Sequence, residues 1–248
     1  MKNDSLHQCW LLHARAYRES SLLLELFSRD GGRQSAIARG VRTAGKRGTN
    51  YKRSLLQPFI PLQLTLAGRG ELRTVGQLEA AGPAVPLQGE RLLSGLYVNE
   101  LLVRLLPPHE NEQPLFDEYT GLLHALAGEQ PLEPLLRTFE LLLLDVLGYG
   151  LQLDHDADSG ESIDGLAWYH LHEGGGFVRH VGTATPDVAA NLYRGEELIR
   201  IARRDFADEH VRRTAKRLLR LVLQQHLGKR ELTSRSLFAR PKTSPPQD

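Results

Sequence analysis

A chain of 248 residues, 41 % apolar and 25 % charged, has the composition of an ordinary soluble protein with one large domain or two modest ones. No apolar run approaches the roughly 20 residues that span a bilayer. The longest candidate, Leu141 to Leu144, is broken by Asp145, and polar Met1 to Ser5 leads straight into folded-looking sequence, so neither a membrane span nor a secretory signal is expected. A single cysteine, Cys9, excludes an internal disulfide and a multi-cysteine zinc site, and a cytoplasmic protein is expected.

The net charge of +1 conceals a segregation of sign. Residues 1–78 balance at +8, residues 79–187 at −14 and residues 188–248 at +7. Such separation suggests two surfaces that meet polyanions and one that does not.

In chain order, residues 6–80 carry the pattern of short strands. Leu6 to Tyr17, Ser21 to Ser28 and Arg33 to Val41 are strand candidates, the last two joined through Asp30-Gly31-Gly32, a tight-turn signal. A polar loop is expected from Arg42 to Arg53. Leu62, Leu64 and Leu66 then alternate with Gln63 and Thr65, the period of a half-buried strand, and Gly68-Arg69-Gly70 turns the chain into a last strand, Glu71 to Glu79. Five short strands in about 80 residues fit an OB-fold, and an SH3-like barrel fits nearly as well. Ala80 to Gly89 reads as a connector. Helical periodicity follows over Leu92 to Leu106, Leu115 to Leu126, Leu132 to Leu147 and Asp208 to Leu227. The fold class is therefore α+β: a barrel over residues 1–80, then a helical domain over 81–248 with a small irregular insertion at about 148–185.

Several motifs imitate chemistry without completing it. Gly40 to Lys46 has the G-x-x-x-x-G-K spacing of a phosphate loop, but Arg47 stands where a Ser or Thr hydroxyl would hold Mg²⁺, and Gly48-Thr49-Asn50 is expected to be unable to open the helix such a loop needs. Asp154, Asp156 and Asp158 resemble the start of a calcium loop, yet Gly165 occupies the place of the bidentate Glu. His155, His170, His172 and His180 match no zinc spacing, and no activated nucleophile is visible. No metal, cofactor or catalysis is expected.

The basic residues of the barrel segment are the positive signal. Arg33, Arg39, Arg42, Lys46, Arg47, Lys52, Arg53, Arg69 and Arg73 have few acidic neighbours in sequence and are candidate phosphate contacts. Tyr51 is a candidate stacking residue, although aromatics are only 6 % of the chain. The C-terminal helical stretch offers Arg212, Arg213, Lys216, Arg217 and Arg220 as a further DNA or partner contact. From these residues alone, an RNA-binding OB module and, more remotely, a nucleotide hydrolase using Gly40 to Lys46 remain open beside a DNA-handling protein.

Several blocks together carry a family resemblance. They are Trp10-Leu-Leu, Arg18-Glu19-x-Ser21, Ala38-Arg-Gly-Val-Arg42, Leu56-Gln-Pro-Phe59, Gly68-Arg-Gly-Glu-Leu72, Gly95-Leu-Tyr-Val-Asn-Glu-Leu-Leu102, Leu136-Arg-x-Phe-Glu140, Leu147-Gly-Tyr-Gly150 and Ser234-Arg-Ser-Leu-Phe238. In this order they resemble the bacterial recombination mediator family RecO over nearly the whole chain. The resemblance implies an N-terminal OB-fold and a helical domain, together with binding of single- and double-stranded DNA, strand annealing and loading of RecA onto DNA coated by single-strand-binding protein. It implies RecR and the acidic, apolar C-terminal tail of single-strand-binding protein as partners, and a cytoplasmic, nucleoid-associated location. Many relatives carry a four-cysteine zinc site after the Leu-Gly-Tyr block; this chain lacks those cysteines and resembles the zinc-free branch. Arg137 is the residue that would meet the tail's carboxylate, with Leu136 and Phe139 lining a groove beside it, although a surface ion pair to Glu133 or Glu140 is an equal reading of the same position.

Overall fold

The computed structural model describes residues 5–42, 47–68, 70, 72–172, 174–183, 191–228 and 232–234, with the side chains of residues 47–49 not described. Its class is α+β. Strands β1 (His7–Tyr17), β2 (Ser21–Ser28), β3 (Gly32–Ala38), β4 (Pro61–Ala67) and β5 (Leu72–Ala80) close a barrel in the order β1-β2-β3-β5-β4. All neighbours are antiparallel except β3 and β5. Helix α1 (Arg47–Leu55) lies in the chain between β3 and β4. This Greek-key order with one parallel closure is that of an OB-fold.

Period-two alternation builds the barrel interior. Cys9 and Leu11 from β1, Leu24 and Leu26 from β2, Ala36 and Ala38 from β3, Leu62, Leu64 and Leu66 from β4, and Leu78 from β5 meet in one core. Alanines on β3 leave room for the leucines of its neighbours. The segment expected as a polar loop, Arg42 to Arg53, is in part helix α1. Gly48-Thr49-Asn50 does open a helix, because Leu55 and Leu56 at its far end anchor it in the barrel core. Tertiary burial here overrides weak local propensity.

Strands β1 and β2 have a second apolar face, carrying Trp10, Leu12 and Phe27, all buried. Helices α2 (Gly89–Leu105) and α3 (Gln113–Ala127) cover it. Phe27 packs edge-on to Phe116 and Tyr119, and the Trp10 indole donates to Thr120 Oγ1 at 2.9 Å. A bulge in β1 between Leu11 and His13 leaves the Leu12 carbonyl to accept from Asn99 Nδ2 at 3.1 Å, while Asn99 Oδ1 accepts from the Tyr119 hydroxyl at 2.6 Å. Gly95 is required on α2 because a Cβ there would lie 2.8 Å from both the Phe59 ring and Leu87. The Glu100 carboxylate accepts from the Thr233 amide and from the Ser234 amide and hydroxyl, at 2.7 to 2.8 Å.

The compact units are accordingly not cut where strands give way to helices. One unit comprises Met1–Gln130 and Arg230–Asp248, the other Pro131–Lys229. The second unit contains α4 (Leu132–Val146), β6 (Trp168–Leu171), β7 (Phe177–Arg179), β8 (Leu192–Arg194), α5 (Gly195–Ala202) and α6 (Glu209–Leu227). Its strands form an antiparallel sheet in the order β7-β6-β8. The stretch 148–185, without period in the sequence, thus supplies two of these three strands. They are too short for alternation to show, and Gly174 and Gly175, both at positive φ, reverse the chain between them. Among the described residues no helix is long and apolar enough to cross a membrane.

Candidate nucleic-acid interface

On the barrel, the β1–β2 turn, the end of β3 and the start of β5 enclose a groove of about 750 Å³. Tyr17, Arg18 and Glu19 form one side; Ile37, Arg39 and Leu72 form the other. The strand 2–3 face and the loops after strands 1 and 4 are where OB-folds take extended ligands. The turn is held firmly. Arg18 adopts φ 52° and places its guanidinium 5.3 Å from the centre of the Tyr17 ring. Arg42 fastens the turn from behind, its Nη1 donating to the Arg18 carbonyl at 3.0 Å and its amide to the Ser20 carbonyl at 2.9 Å. Arg39 is exposed at the groove wall, and Leu72, 43 % exposed, adds apolar surface. The groove therefore presents guanidinium groups for phosphates beside apolar and aromatic side chains for bases.

The sequence candidates fall into distinct groups. Arg39 and Arg42 belong to the groove, one as a wall and the other as a brace. Arg33 does not belong to it: its Nη1 pairs with Glu25 at 2.9 Å and its Nε donates to the Leu106 carbonyl at 2.8 Å, so it ties β3 to the end of α2. Lys52 donates to the Gly76 carbonyl at 3.2 Å, and the Arg73 Nε is buried without a hydrogen-bond partner. Arg53 is exposed on α1 beside Tyr51, itself 56 % exposed. Lys46 and Arg69 lie outside the described residues, as does the Arg47 side chain. Arg18 was missed as a contact. Its signal was a basic residue next to Tyr17 in the first strand–strand turn, legible once the barrel order is known.

The three α4 candidates are interior. Arg137 is 7 % exposed and pairs with Glu140 at 2.8 Å, while its Nε remains buried without a hydrogen-bond partner; Leu136 and Phe139 are buried beside it. Of the two readings of Arg137, an ion pair with Glu140 is present, but inside the fold and not on its surface.

The basic face of α6 is largely engaged within its own unit. Lys216 and Arg212 reach Glu133 at 3.1 and 3.7 Å, Arg213 reaches Glu209 at 3.7 Å, and Arg217 donates to the Leu192 carbonyl at 2.6 Å. Arg220 is exposed.

The other motifs resolve into structure. Burial, reinforced by the nearby Asp30 carboxylate, pushes the Cys9 thiol far up, out of the range of a nucleophile. Asp156 accepts backbone N–H groups from Asp158, Ser159 and Arg179 at 2.8 to 2.9 Å, stapling its turn to β7; these bonds, that of Ser159 foremost, hold its carboxyl below the ordinary value. Among the described residues no three His, Cys, Asp or Glu side chains gather as a metal site. The strand before the Gly40 loop belongs to a closed barrel, with β2 antiparallel on one side, unlike the open parallel sheet of phosphate-loop enzymes.

Comparison with known proteins agrees along nearly the whole chain. The family model described as Recombination protein O N terminal matches residues 1–84, and that described as Recombination protein O C terminal matches residues 86–236. DNA repair protein RecO of Stutzerimonas stutzeri (strain A1501) is 45 % identical over 242 residues, 97 % of each chain. The protein of that name from Methylococcus capsulatus is 44 % identical over 235 residues, covering 94 % of this chain and 92 % of its own. That of Pseudomonas putida (strain GB-1) is 44 % identical over 239 residues, covering 96 % and 99 %. With an OB barrel, a helical remainder and this identity over nearly its whole length, the chain belongs to the recombination protein O family of DNA repair proteins.

Proposed function

We propose that this member of the family is a recombination mediator that binds single- and double-stranded DNA, anneals complementary strands and helps load RecA onto DNA coated by single-strand-binding protein. The observation that carries the reading is the barrel groove, with Arg18 and Arg39 on opposite walls at the ligand-binding place of an OB-fold. Guanidinium groups neutralise a phosphate backbone, and Ile37, Leu72 and Tyr17 offer surface to unpaired bases. Annealing by such a protein is a matter of bringing two polyanions together and screening their repulsion, with no covalent step and no turnover. RecR and the acidic tail of single-strand-binding protein are the proposed protein partners, in a cytoplasmic, nucleoid-associated setting. The tail would reach Arg137 only by displacing Glu140, so Leu136, Arg137 and Phe139 act as a tail site only if α4 opens locally.

Annealing of complementary oligomers, measured against salt, tests the groove. Charge reversal of Arg18 and Arg39 together is expected to abolish most annealing at moderate salt. It should also flatten the dependence of log K on log salt by about 0.7 per lost phosphate contact for a single strand. Annealing and a salt slope equal to those of the unmodified chain overturn the assignment of the groove. Competition by matched RNA oligomers at equal strength would favour the RNA-binding alternative.

A further inference from the structure

Folding leaves one aromatic ring of the first unit open. Of the eight aromatic residues up to Gln130, six are buried, Tyr17 is half-buried, and Tyr51 on α1 is 56 % exposed. The Tyr17 ring already has the Arg18 guanidinium over it, 5.3 Å from its centre. Tyr51 also sits in a stretch of one-sided charge: Gly31 to Gly70 contains eight Lys and Arg and no Asp or Glu. In that stretch Arg39 and Arg53 are exposed, with no ion pair among the described residues. Strand β5, which packs on α1, carries one carboxylate, Glu79. Helix α1 is held firmly to the barrel. Lys52 Nζ donates to the Gly76 carbonyl at 3.2 Å, and Leu55 and Leu56 reach the barrel core. Thr74, paired with Ile37 of the groove wall, lies two residues before Gly76, about 7 Å along β5. Helix α1 thus stands next to the groove wall, with Tyr51 and Arg53 turned to solvent.

We propose that helix α1 is the element by which the barrel selects an unpaired DNA strand, with a base stacked on Tyr51 and a phosphate met by Arg53. The groove offers charge to any nucleic-acid backbone, and backbone contact alone does not distinguish one strand from two. A phenol ring open to solvent does distinguish them, because an unpaired base can lay its π-face on the ring while a paired base keeps both faces in its own stack. The inference rests on the DNA-binding reading given above and names the residue that sets its strand preference.

Fluorescence anisotropy of labelled oligo(dT) and of a duplex of equal length, against the full chain, tests it. Tyr51→Ala should weaken binding of oligo(dT) about tenfold, within the range of one lost base stack, and leave duplex binding unchanged. Tyr51→Phe should bind as the unmodified chain does, since the ring and not the hydroxyl makes the contact. The salt slope of Tyr51→Ala should also be unchanged, whereas Arg53→Gln should flatten the slope by about 0.7 and keep the preference for the unpaired strand. An oligomer of abasic sites keeps every phosphate and removes every base. The unmodified chain should bind it at least tenfold more weakly than oligo(dT), and Tyr51→Ala should narrow that difference about tenfold. Oligo(dT) affinity unchanged in Tyr51→Ala overturns the proposal, as does an equal loss on both strand types or a Tyr51→Phe as weak as Tyr51→Ala. Annealing in an unmodified chain whose Tyr51→Ala variant binds both strand types normally overturns the platform and leaves the groove standing. Discrimination through Tyr51 in a chain that does not anneal upholds the platform and overturns the annealing reading.

Discussion

Asn99 is the residue through which helix α2 grips the barrel, and Asn99→Ala is the sharpest test of that packing. Both ends of its amide are engaged in the interior, Nδ2 on the Leu12 carbonyl at the β1 bulge and Oδ1 under the Tyr119 hydroxyl. Asn99 itself is 2 % exposed, so water cannot replace what the substitution removes. A buried polar group deprived of its partner costs about 1–3 kcal/mol, and the smaller side chain also leaves a void. The expected loss is therefore about 3 kcal/mol for the first unit. At roughly 3 °C per kcal/mol for a unit of this size, the midpoint of thermal unfolding should fall by about 10 °C. Denaturant titration followed by Trp10 emission measures it directly, because Trp10 lies 6.1 Å from Tyr119, ring centre to ring centre. Tyr119→Phe deprives only the Asn99 Oδ1 of its donor and leaves the bulge carbonyl satisfied and the volume nearly unchanged, so it should cost less, about 1–2 kcal/mol. If Asn99→Ala costs no more than Tyr119→Phe, the bulge carbonyl does not need Asn99 and the account of the α2–β1 junction is wrong.

Three further outcomes follow from groups already described. Arg137→Ala leaves Glu140 as a buried carboxylate without its guanidinium and should destabilise the second unit by about 3–5 kcal/mol; a calorimetric scan that shows no downward shift would refute the pair's interior role. Asp156 has its folded pKa depressed by backbone donors, so its contribution is fully present above the unfolded value, about 3.9, and is lost as pH falls through the lower folded value. Asp156→Asn should therefore lower stability near pH 7 and flatten its decline between about pH 5 and pH 2, which acid titration of the two proteins compares. Burial alone would raise the Glu100 carboxyl, yet the Ser234 amide and hydroxyl, the Thr233 amide and Arg104 together hold it below its ordinary value. Glu100→Ala should free the amides of Thr233 and Ser234, and hydrogen exchange at those two sites should accelerate while exchange in β3 is unchanged.

The barrel was readable because its signal is local. Leu62, Leu64 and Leu66 alternate within five residues, and Asp30-Gly31-Gly32 marks a turn whatever lies around it. Helix α1 was not readable, because Gly48-Thr49-Asn50 disfavours a helix and the anchors that rescue it, Leu55 and Leu56, act through a core assembled from distant strands. Charge behaved in the same way. The sequence shows that Arg33, Lys216 and Arg212 are basic, but not that folding brings Glu25 and Glu133 against them. Arg18 and Arg39 emerge as the open pair only after those carboxylates have claimed their neighbours. The block Gly95 to Leu102, conspicuous as a family signature, turns out to hold a close approach, a bulge contact and a carboxylate clasp: Gly95 beneath Phe59, Asn99 on Leu12, Glu100 on Ser234.

The clasp at Glu100 sets an order of events during synthesis. Its acceptor is made early, and its donors, Thr233 and Ser234, lie 133 and 134 residues later. On the ribosome the barrel can close and α2 and α3 can dock while the chain is still growing, since domains generally form in the order in which they emerge. The first unit nevertheless cannot complete its bonds until Pro131–Lys229 has been made in between. A nascent chain that stalls in the second unit thus leaves Glu100 without its Thr233 and Ser234 donors, and a segment made long after α2 completes the bonds of α2.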